Sequence, residues 1–379
     1  MNQVYLDNSA TTRVCPEAAE KVMELMVEKY GNPSSLHTMG YEAEQEILWA
    51  REQIAKALNV LPREMVFTSG GTEANNLALF GAAQARKRMG NRIVTTAIEH
   101  SSVLEAAQEL EKQGMEVVFL KPGLDGKIPL EEIKEAIDEH TILVSVMAVN
   151  NEVGSIQPIE KVKKIIEIKK APALFHVDAV QAFGKIPLKP AKMGIDLMTI
   201  SGHKIHAPKG VGALYIGRGV RILPRTFGGE QQNRMRPGTE PAPLIAGFGA
   251  AVQALPDLAE EKKSIQSLKD YAVERLCGIP MVEVNSPEDS LPYVLNISAV
   301  GVRSETMLHH LAAKGIYVSS GSACAKGRKS HVLEAMGLSP ERIASAIRIS
   351  FSRYNTREDI DQLADGLQDG LQVLAKVHG

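Results

Sequence analysis

The chain has 379 residues, of which 44% are hydrophobic and 23% are charged, an ordinary balance for a globular protein. A formal net charge of -2 at pH 7 excludes binding to nucleic acid through bulk positive charge, although local basic patches stay possible. The first residues lack a basic segment followed by a long apolar one, and no stretch approaches the ~20 apolar residues of a membrane span. We therefore expect a cytoplasmic protein that binds neither membranes nor nucleic acid directly.

Apolar runs typical of strands alternate with helical patterns along the first half of the chain. The predicted strands cover 65–68, 92–96, 117–120, 142–147, 173–175 and 197–200. The helices between them are predicted from about 72 and over 101–113, 130–139 and 161–170. This alternation predicts an α/β fold with a largely parallel sheet and helices on both of its faces. Ligands of such sheets gather at the carboxyl ends of the strands.

The pattern changes after about residue 258. Helices are predicted over 258–276, 304–314, 330–336 and 357–374, and shorter strands over 282–284 and 294–298. This α+β pattern predicts a second, smaller domain. We expect a large domain over 14–257 and a small domain formed by 1–13 together with 258–379.

Lys204 is the most informative residue of the chain. It ends the sequence Ser-Gly-His-Lys directly after the apolar run 197–200, and Asp178 similarly follows the run 173–175. An acid and a lysine at the ends of buried strands are what a pyridoxal phosphate enzyme needs. The lysine forms an imine with the aldehyde, and the acid keeps the pyridine nitrogen protonated, so that the ring can accept electrons. The pair therefore predicts pyridoxal 5'-phosphate as the cofactor and reactions of amines, above all amino acids.

Two further strand ends could serve this cofactor. Gly71 and Thr72 open a helix after the strand 65–68, where free backbone amides and the Thr72 hydroxyl could hold a phosphate. Taken alone, this motif is more simply a turn with a helix cap. His100 follows the strand 92–96, where it could stack on a flat ring and relay protons, although a lone histidine is more often structural.

Other polar residues could hold anionic groups. Asn151 follows the strand 142–147 and could bond a cofactor oxygen or a substrate carboxylate, with a simple turn as an equal alternative. Arg348 lies inside an apolar run, where a substrate carboxylate would be a bidentate partner and a buried ion pair is the alternative. Thr239 follows a basic turn and could reach a phosphate, even that of a partner subunit.

Cys324 lies in a small, polar segment, 318–330, with several cations nearby. This composition predicts a loop rather than a core segment, and the positive surroundings favour the thiolate. Cys324 is therefore a candidate acceptor for sulfur from a cofactor-bound substrate, with a free surface cysteine as the alternative. Cys15 and Cys277 lack this setting, and the cysteine spacing fits neither a disulfide framework nor a structural zinc site.

Together these motifs resemble the cysteine desulfurases of the NifS and IscS type, in the fold-type I, class V aminotransferase group. The resemblance runs nearly end to end, through 5–12, 31–35, 320–324 and the motifs around Thr72, His100, Asn151, Asp178, Lys204 and Arg348. It implies a homodimer like aspartate aminotransferase, with the active site at the subunit interface. It also implies L-cysteine as substrate, alanine as product and a persulfide on Cys324. The persulfide would then pass its sulfur to an acceptor protein, such as an iron–sulfur scaffold or a tRNA thiolase.

The resemblance also implies roles for single residues. Lys204 would form the Schiff base, Asp178 would pair with the pyridine nitrogen, and His100 would stack on the ring and act as acid and base. Gln181 would bond the ring oxygen, while Asn151 and Arg348 would bind the substrate carboxylate. Several residues would hold the phosphate, namely Gly71, Thr72, Ser201 and His203, with Thr239 from the other subunit. Whether Cys324 also ligates an iron–sulfur cluster transiently through its persulfide is left open.

Other functions fit the same residues. A selenocysteine lyase or a cysteine sulfinate-type lyase would use the same scaffold, and so would an ordinary aminotransferase. A platform that only docks iron–sulfur or tRNA-thiolation partners is the alternative outside enzymes. The intact set of Lys204, Asp178 and Cys324 argues against such a platform.

Overall fold

The computed structural model describes residues 3–321 and 329–374, and within these ranges the strands form three sheets. In chain order the strands are β1 (Val4–Tyr5), β2 (Met65–Thr68), β3 (Arg92–Thr96), β4 (Glu116–Leu120), β5 (Thr141–Ser145), β6 (Leu174–Asp178), β7 (Leu197–Ser201), β8 (Gly212–Ile216), β9 (Val282–Val284), β10 (Val294–Ala299), β11 (Ile316–Tyr317) and β12 (Ala346–Ser350).

The helices alternate with these strands. They are α1 (Pro16–Val27), α2 (Thr38–Leu58), α3 (Gly71–Arg86), α4 (Ser101–Lys112), α5 (Leu130–Ala136), α6 (Ile159–Ile168), α7 (Pro190–Met193), α8 (Ala242–Gln253), α9 (Leu258–Cys277), α10 (Ser304–Ala313), α11 (His331–Ala335), α12 (Pro340–Ala344) and α13 (Arg357–Val373).

The central sheet has seven strands in the order β2-β8-β7-β6-β5-β3-β4. β8 runs antiparallel to both of its neighbours, and the other strands are parallel to one another. The prediction of an α/β fold with a largely parallel sheet is therefore confirmed. The connection from β7 to β8 is too short for a crossover helix, which is why β8 returns antiparallel.

Both faces of the central sheet are apolar and covered. Leu143 and Leu174 join one hydrophobic cluster with residues of α3 and α4, whereas Val144 and Phe175 join a second cluster on the opposite face. Successive side chains of a strand point to opposite faces, so adjacent apolar residues serve both clusters. Helices on both faces were predicted, and the structure has them.

The smaller sheets lie in the remainder of the chain. β9, β10 and β12 form an antiparallel sheet, and β1 pairs in parallel with β11, so that Val4 lies opposite Ile316. The start of the chain is thus joined to its last third. This pairing agrees with a small domain of 1–13 and 258–379 beside a large one of 14–257, a division that stays a prediction. Phe248 and Leu363 belong to one hydrophobic cluster, so the core is continuous between the two parts.

Helix α8 is apolar along its whole length and packs against α1 and α2. A Cβ atom added at Gly249 would lie 2.6 Å from the Ala50 Cα atom, and one at Gly247 would lie 2.5 Å from Val22 Cγ2. The glycines therefore permit α8 to pack closely against α1 and α2. No single described helix is long and apolar enough to cross a membrane. Among the described helices, only the bent pair of α8 and α9, counted together, has the length and composition of a membrane span.

Candidate active site

One cavity lies at the carboxyl edge of the central sheet and contains most of the predicted site residues. It is lined by Gly71, Thr72, His100, Asn151, Asp178, Gln181, Ser201, His203, Lys204 and Arg348. Ser9, Ala10, Asn75 and Ser102 also line it, and the sequence did not single them out.

The topology of the sheet brings these residues together. Gly71 begins α3 after β2, His100 precedes α4 after β3, and Asn151 follows β5. Asp178 and Ser201 are the last residues of the adjacent strands β6 and β7. Because β2, β3, β5, β6 and β7 are parallel, their carboxyl ends meet at one edge of the sheet.

Lys204 lies in a short 3-10 helix, Gly202–Lys204, directly after β7. Its Nζ atom donates to the carbonyl oxygens of Ser9, at 2.6 Å, and Ala10, at 2.7 Å. The segment before α1 therefore forms one wall of the cavity and holds the lysine amine there. The motif 5–12 was noted in the sequence, but nothing in its pattern shows that its carbonyl groups would face Lys204.

The carboxylate of Asp178 is held at both oxygens. Oδ1 accepts a hydrogen bond from the backbone N–H of Val180 at 3.0 Å, and Oδ2 accepts one from the Asn75 amide at 2.7 Å. Asp178 is only 5% exposed, so these bonds fix its orientation toward the cavity. Asn75 lies four residues after Gly71 on α3, hence on the same helix face, and this spacing could have identified it.

His100 is the residue that caps α4. Its Nδ1 atom accepts a hydrogen bond from the Ser102 backbone N–H at 3.2 Å and lies 2.8 Å from Ser102 Oγ. Burial lowers the pKa of His100 below its ordinary value. The imidazole is therefore neutral at pH 7, the state in which it can accept a proton.

The features expected of a phosphate site meet at the start of α3. Gly71 opens the helix, where the first backbone N–H groups have no partner within the helix. The buried Ser201 hydroxyl has no hydrogen-bond partner among the residues that the structure describes. Burial and then Lys204 lower the pKa of His203 to about 4, so this imidazole is neutral. A helix start beside an unpaired hydroxyl suits an anion. With the Lys204 amine and the Asp178 carboxylate, these groups fit pyridoxal 5'-phosphate.

Arg348 lies on β12 and is 1% exposed. Its Nη2 atom forms an ion pair with Asp7 Oδ1 at 2.8 Å, and Nη1 donates to the Asn151 carbonyl oxygen at 3.2 Å. Nε has no partner within 3–321 or 329–374. The buried ion pair considered from the sequence therefore exists, and the guanidinium still lines the cavity.

Gln181 is fixed at both ends of its side-chain amide. Nε2 donates to the Ser9 carbonyl oxygen at 3.0 Å, and Oε1 accepts from Lys185 Nζ at 3.1 Å. Burial lowers the pKa of Lys185 to about 8. Ser9 thus accepts from both Lys204 and Gln181, which joins the two sides of the cavity.

One predicted site residue within the described part of the chain does not line the cavity. Thr239 lies elsewhere, after the segment Gln231–Arg234. Cys324, together with its suggested role as an iron–sulfur ligand, lies outside the described residues. Within the described part of the chain, no cluster of His, Cys, Asp and Glu could hold a metal ion.

Comparisons with known proteins show the family to which the chain belongs. The model of the class-V aminotransferase family matches residues 4–363. The chain is 42% identical to a protein of Clostridium botulinum named cysteine desulfurase IscS, over 99% of this chain and 94% of that relative. It is similar to the solved structure of a NifS-like protein, with a TM-score of 0.93, 41% identity and coverage of 98% and 100% of the two chains. A structure described as SspA in complex with cysteine has a TM-score of 0.82 and 33% identity, over 94% of this chain and 100% of that one.

Proposed function

Since the chain belongs to the class-V aminotransferase family and is a pyridoxal phosphate-dependent cysteine desulfurase, we propose that it takes sulfur from L-cysteine through Lys204, His100 and Cys324. When bound, pyridoxal phosphate supplies an electron sink that weakens bonds of an attached amino acid. One observation carries the proposal: Asp178 ends β6, Lys204 follows the adjacent strand β7, and both side chains line one cavity.

The residues around that cavity would hold the cofactor in a fixed position. The Lys204 amine would be its covalent attachment, Asp178 would face the pyridine nitrogen, and Gln181 would bond the ring oxygen. The phosphate would be held by Gly71, Thr72, Ser201 and His203, with Thr239 from a partner subunit. The unpaired Ser201 hydroxyl and the open start of α3 support this placement.

Arg348 and Asn151 would bind the carboxylate of the substrate cysteine. Arg348 is buried, so a charge-assisted bond to a carboxylate would not compete with water. Asp7 already holds one end of the guanidinium through Nη2. The ion pair therefore orients Arg348 and leaves the unpaired Nε edge for a further acceptor.

His100 and Cys324 would carry the chemistry that follows binding. The neutral His100 imidazole would move a proton at the bound substrate. The Cys324 thiolate would attack the substrate sulfur, so that an S–S bond forms while the bond between Cβ and sulfur breaks. The electron pair of the broken bond stays on Cβ, which takes up one proton, the equivalent of the proton that the Cys324 thiol lost in forming its thiolate. The products are then L-alanine and a persulfide on Cys324.

We propose that the chain works as a homodimer with two such sites. The helix α1 and the segment that follows it expose large apolar side chains, among them Met23, Met26, Val27, Tyr30 and Leu36. Exposed apolar patches of this kind are typical of protein interfaces. Phe227, ahead of Thr239, is 84% exposed and could enter the same interface.

The persulfide would pass its sulfur to an acceptor protein in iron–sulfur cluster assembly or tRNA thiolation. Cys15 and Cys277 are free thiols. Free thiols are usual in the reducing cytoplasm, where we place the protein.

Incubation of the cofactor-loaded protein with L-cysteine tests the function directly. We expect one alanine for each sulfur transferred, and a Cys324 peptide heavier by one sulfur atom. Borohydride treatment before proteolysis should leave a pyridoxyl group on the Lys204 peptide. A pyridoxyl-free Lys204 peptide would refute the proposed attachment, and alanine without sulfur on Cys324 would refute the proposed acceptor. Rates with selenocysteine, and with keto acids as amino acceptors, separate this function from the lyase and aminotransferase alternatives.

A further inference from the structure

A chain of hydrogen bonds connects Asp178 with His100 through two residues that have no role in the function proposed above. The Asn75 Nδ2 atom donates to Asp178 Oδ2 at 2.7 Å and to Ser102 Oγ at 2.8 Å. Ser102 Oγ lies in turn 2.8 Å from His100 Nδ1. Asn75 is 1% exposed and Ser102 7%, so water does not compete for these bonds.

The direction of each bond follows from the groups at its ends. A carboxylate only accepts, so the amide NH2 of Asn75 faces Asp178 and gives its second proton to Ser102 Oγ. The Ser102 hydroxyl, having accepted from Asn75, donates its own proton to His100 Nδ1. The Ser102 backbone N–H also donates to Nδ1, at 3.2 Å, and it can never accept. Nδ1 therefore carries no proton.

We propose that Asn75 and Ser102 are positioning residues that fix His100 as the neutral tautomer with its proton on Nε2. In this tautomer Nε2 offers its N–H as a hydrogen-bond donor to a ligand in the cavity, and it can give up this proton only as Nδ1 takes one up. The inference rests on the proposed function of His100 as acid and base. It adds that Asp178, which would face the pyridine nitrogen, and His100, which would move protons, belong to one hydrogen-bonded unit.

The charges around His100 agree with a neutral ring. Burial is the largest effect and lowers the pKa of His100, and Lys204, His331 and Arg348 lower it further, whereas Asp178 raises it. A neutral imidazole is also what two donors to Nδ1 require, because an imidazolium has no acceptor nitrogen.

The contacts between Ser102 and His100 also cap α4, so a purely structural role must be separated from positioning. Asn76 offers the matched control. Its Nδ2 atom donates to the Thr72 carbonyl oxygen at 3.0 Å and to the Ser102 carbonyl oxygen at 3.3 Å. Asn76 therefore joins the same two helices as Asn75, without a contact to Asp178, Ser102 Oγ or His100.

The tautomer can be measured in the unchanged protein, without substitution of Asn75 or Ser102. Nitrogen-15 NMR of the apoprotein labelled in histidine would show both ring nitrogens of His100, assigned by the signals that vanish in His100→Gln. At about pH 7.5 we expect Nδ1 at the shift of an unprotonated nitrogen and Nε2 at that of a protonated one. A protonated Nδ1 would overturn the proposal. This measurement needs neither cofactor nor cysteine, so it stands apart from any failure of the desulfurase function.

Substitution of Ser102 tests the positioning itself. Ser102→Ala removes a donor to the neutral ring, so the pKa of His100 should rise by about half a unit to one unit, the equivalent of one hydrogen bond. In the loaded enzyme the pH profile of kcat should move with it, with kcat about tenfold lower and KM unchanged. Ser102→Thr, which keeps the hydroxyl, should restore both, and Asn76→Ala should change neither. If Ser102→Ala and Asn76→Ala changed the pKa of His100 and kcat equally, the bonds of Ser102 would serve only to cap the helix, and the inference would be refuted.

Discussion

The guanidinium of Arg348 and the carboxylate of Asp7 lie 2.8 Å apart, although 341 positions separate them in the sequence. The pair joins the segment before α1 to β12 at the wall of the cavity. Arg348 is almost fully buried, whereas its partner is 20% exposed. The ion pair therefore joins the segment before α1 directly to the arginine of the proposed substrate site.

Removal of Asp7 should destabilise the protein. Asp7→Ala leaves the buried Arg348 charge without its anion, and we expect a loss of about 3 kcal/mol in the free energy of unfolding. Urea unfolding of the apoprotein measures this loss. Asp7→Asn keeps an acceptor oxygen and should lose less. The exposed pair of Lys134 and Glu131 is the control, since Lys134→Ala should leave stability nearly unchanged. Equal losses in Asp7→Ala and Lys134→Ala would contradict this account of Arg348.

Lys204→Ala should abolish the yellow colour of the loaded protein and the borohydride-dependent label, because the only proposed covalent anchor is removed. Turnover of cysteine should fall by several orders of magnitude, because Lys204 forms the proposed covalent bond to the cofactor. Absorption spectra and peptide mass spectrometry check both. Lys185→Ala is the control, because Lys185 does not line the cavity but bonds Gln181, which does. If the borohydride-dependent label persisted in Lys204→Ala, the cofactor would be attached to another lysine.

Cys324→Ala should keep the bound cofactor and its colour but release no sulfide from cysteine when a reductant is added. The reason is that the proposed acceptor of the substrate sulfur is absent, whereas the cavity that binds the cofactor is intact. Cys277→Ala, at an exposed thiol, should behave as the unchanged protein. Normal sulfide release by Cys324→Ala would remove this thiol from the reaction.

Glu99 should make the stability of the protein depend on pH. Burial, and then Asp178, raise the pKa of the Glu99 carboxyl to about 8 from 4.5, so the folded state holds a proton that the unfolded state has lost. Stability should therefore fall as the pH rises from about 4.5 to 8, with no further loss above that range. Glu99→Gln keeps the acceptor for the Met147 N–H and removes the ionisation. The decline should be smaller in this variant, and chemical unfolding at several pH values measures it. The same slope in both proteins would mean that Glu99 is ionised in the folded state.

Much of the fold could be predicted because the hydrophobic pattern of a buried parallel strand is nearly continuous. The runs before Asp178 and Lys204 are of this kind, and both are central strands in the structure. β8 was missed since it is short and begins with Gly212 and Ala213, residue types that are depleted in strands. Helix α5 ends at Ala136, earlier than predicted, because Asp138 forms a turn in which it bonds Thr141.

The site was predictable wherever chemistry alone singles out a residue. A lysine or an acid at a strand end is conspicuous, and Lys204 and Asp178 indeed line the cavity. Ser9 and Ala10 take part through backbone carbonyl groups, which every residue has, so no side-chain pattern marks them. Asn75 shares a helix face with Gly71, which marks it as a candidate, but its bond to Asp178, 103 positions away, becomes visible only after folding.

The bonds of Ser9 and Ala10 to Lys204, and of Asp7 to Arg348, also set an order of events during protein synthesis. The segment around Asp7 leaves the ribosome well before its partner strand β12, because 341 positions separate Asp7 from Arg348. A nascent chain thus cannot finish the cavity until β12 has emerged. Loading of vitamin B6 into the finished cavity would therefore follow the synthesis of β12.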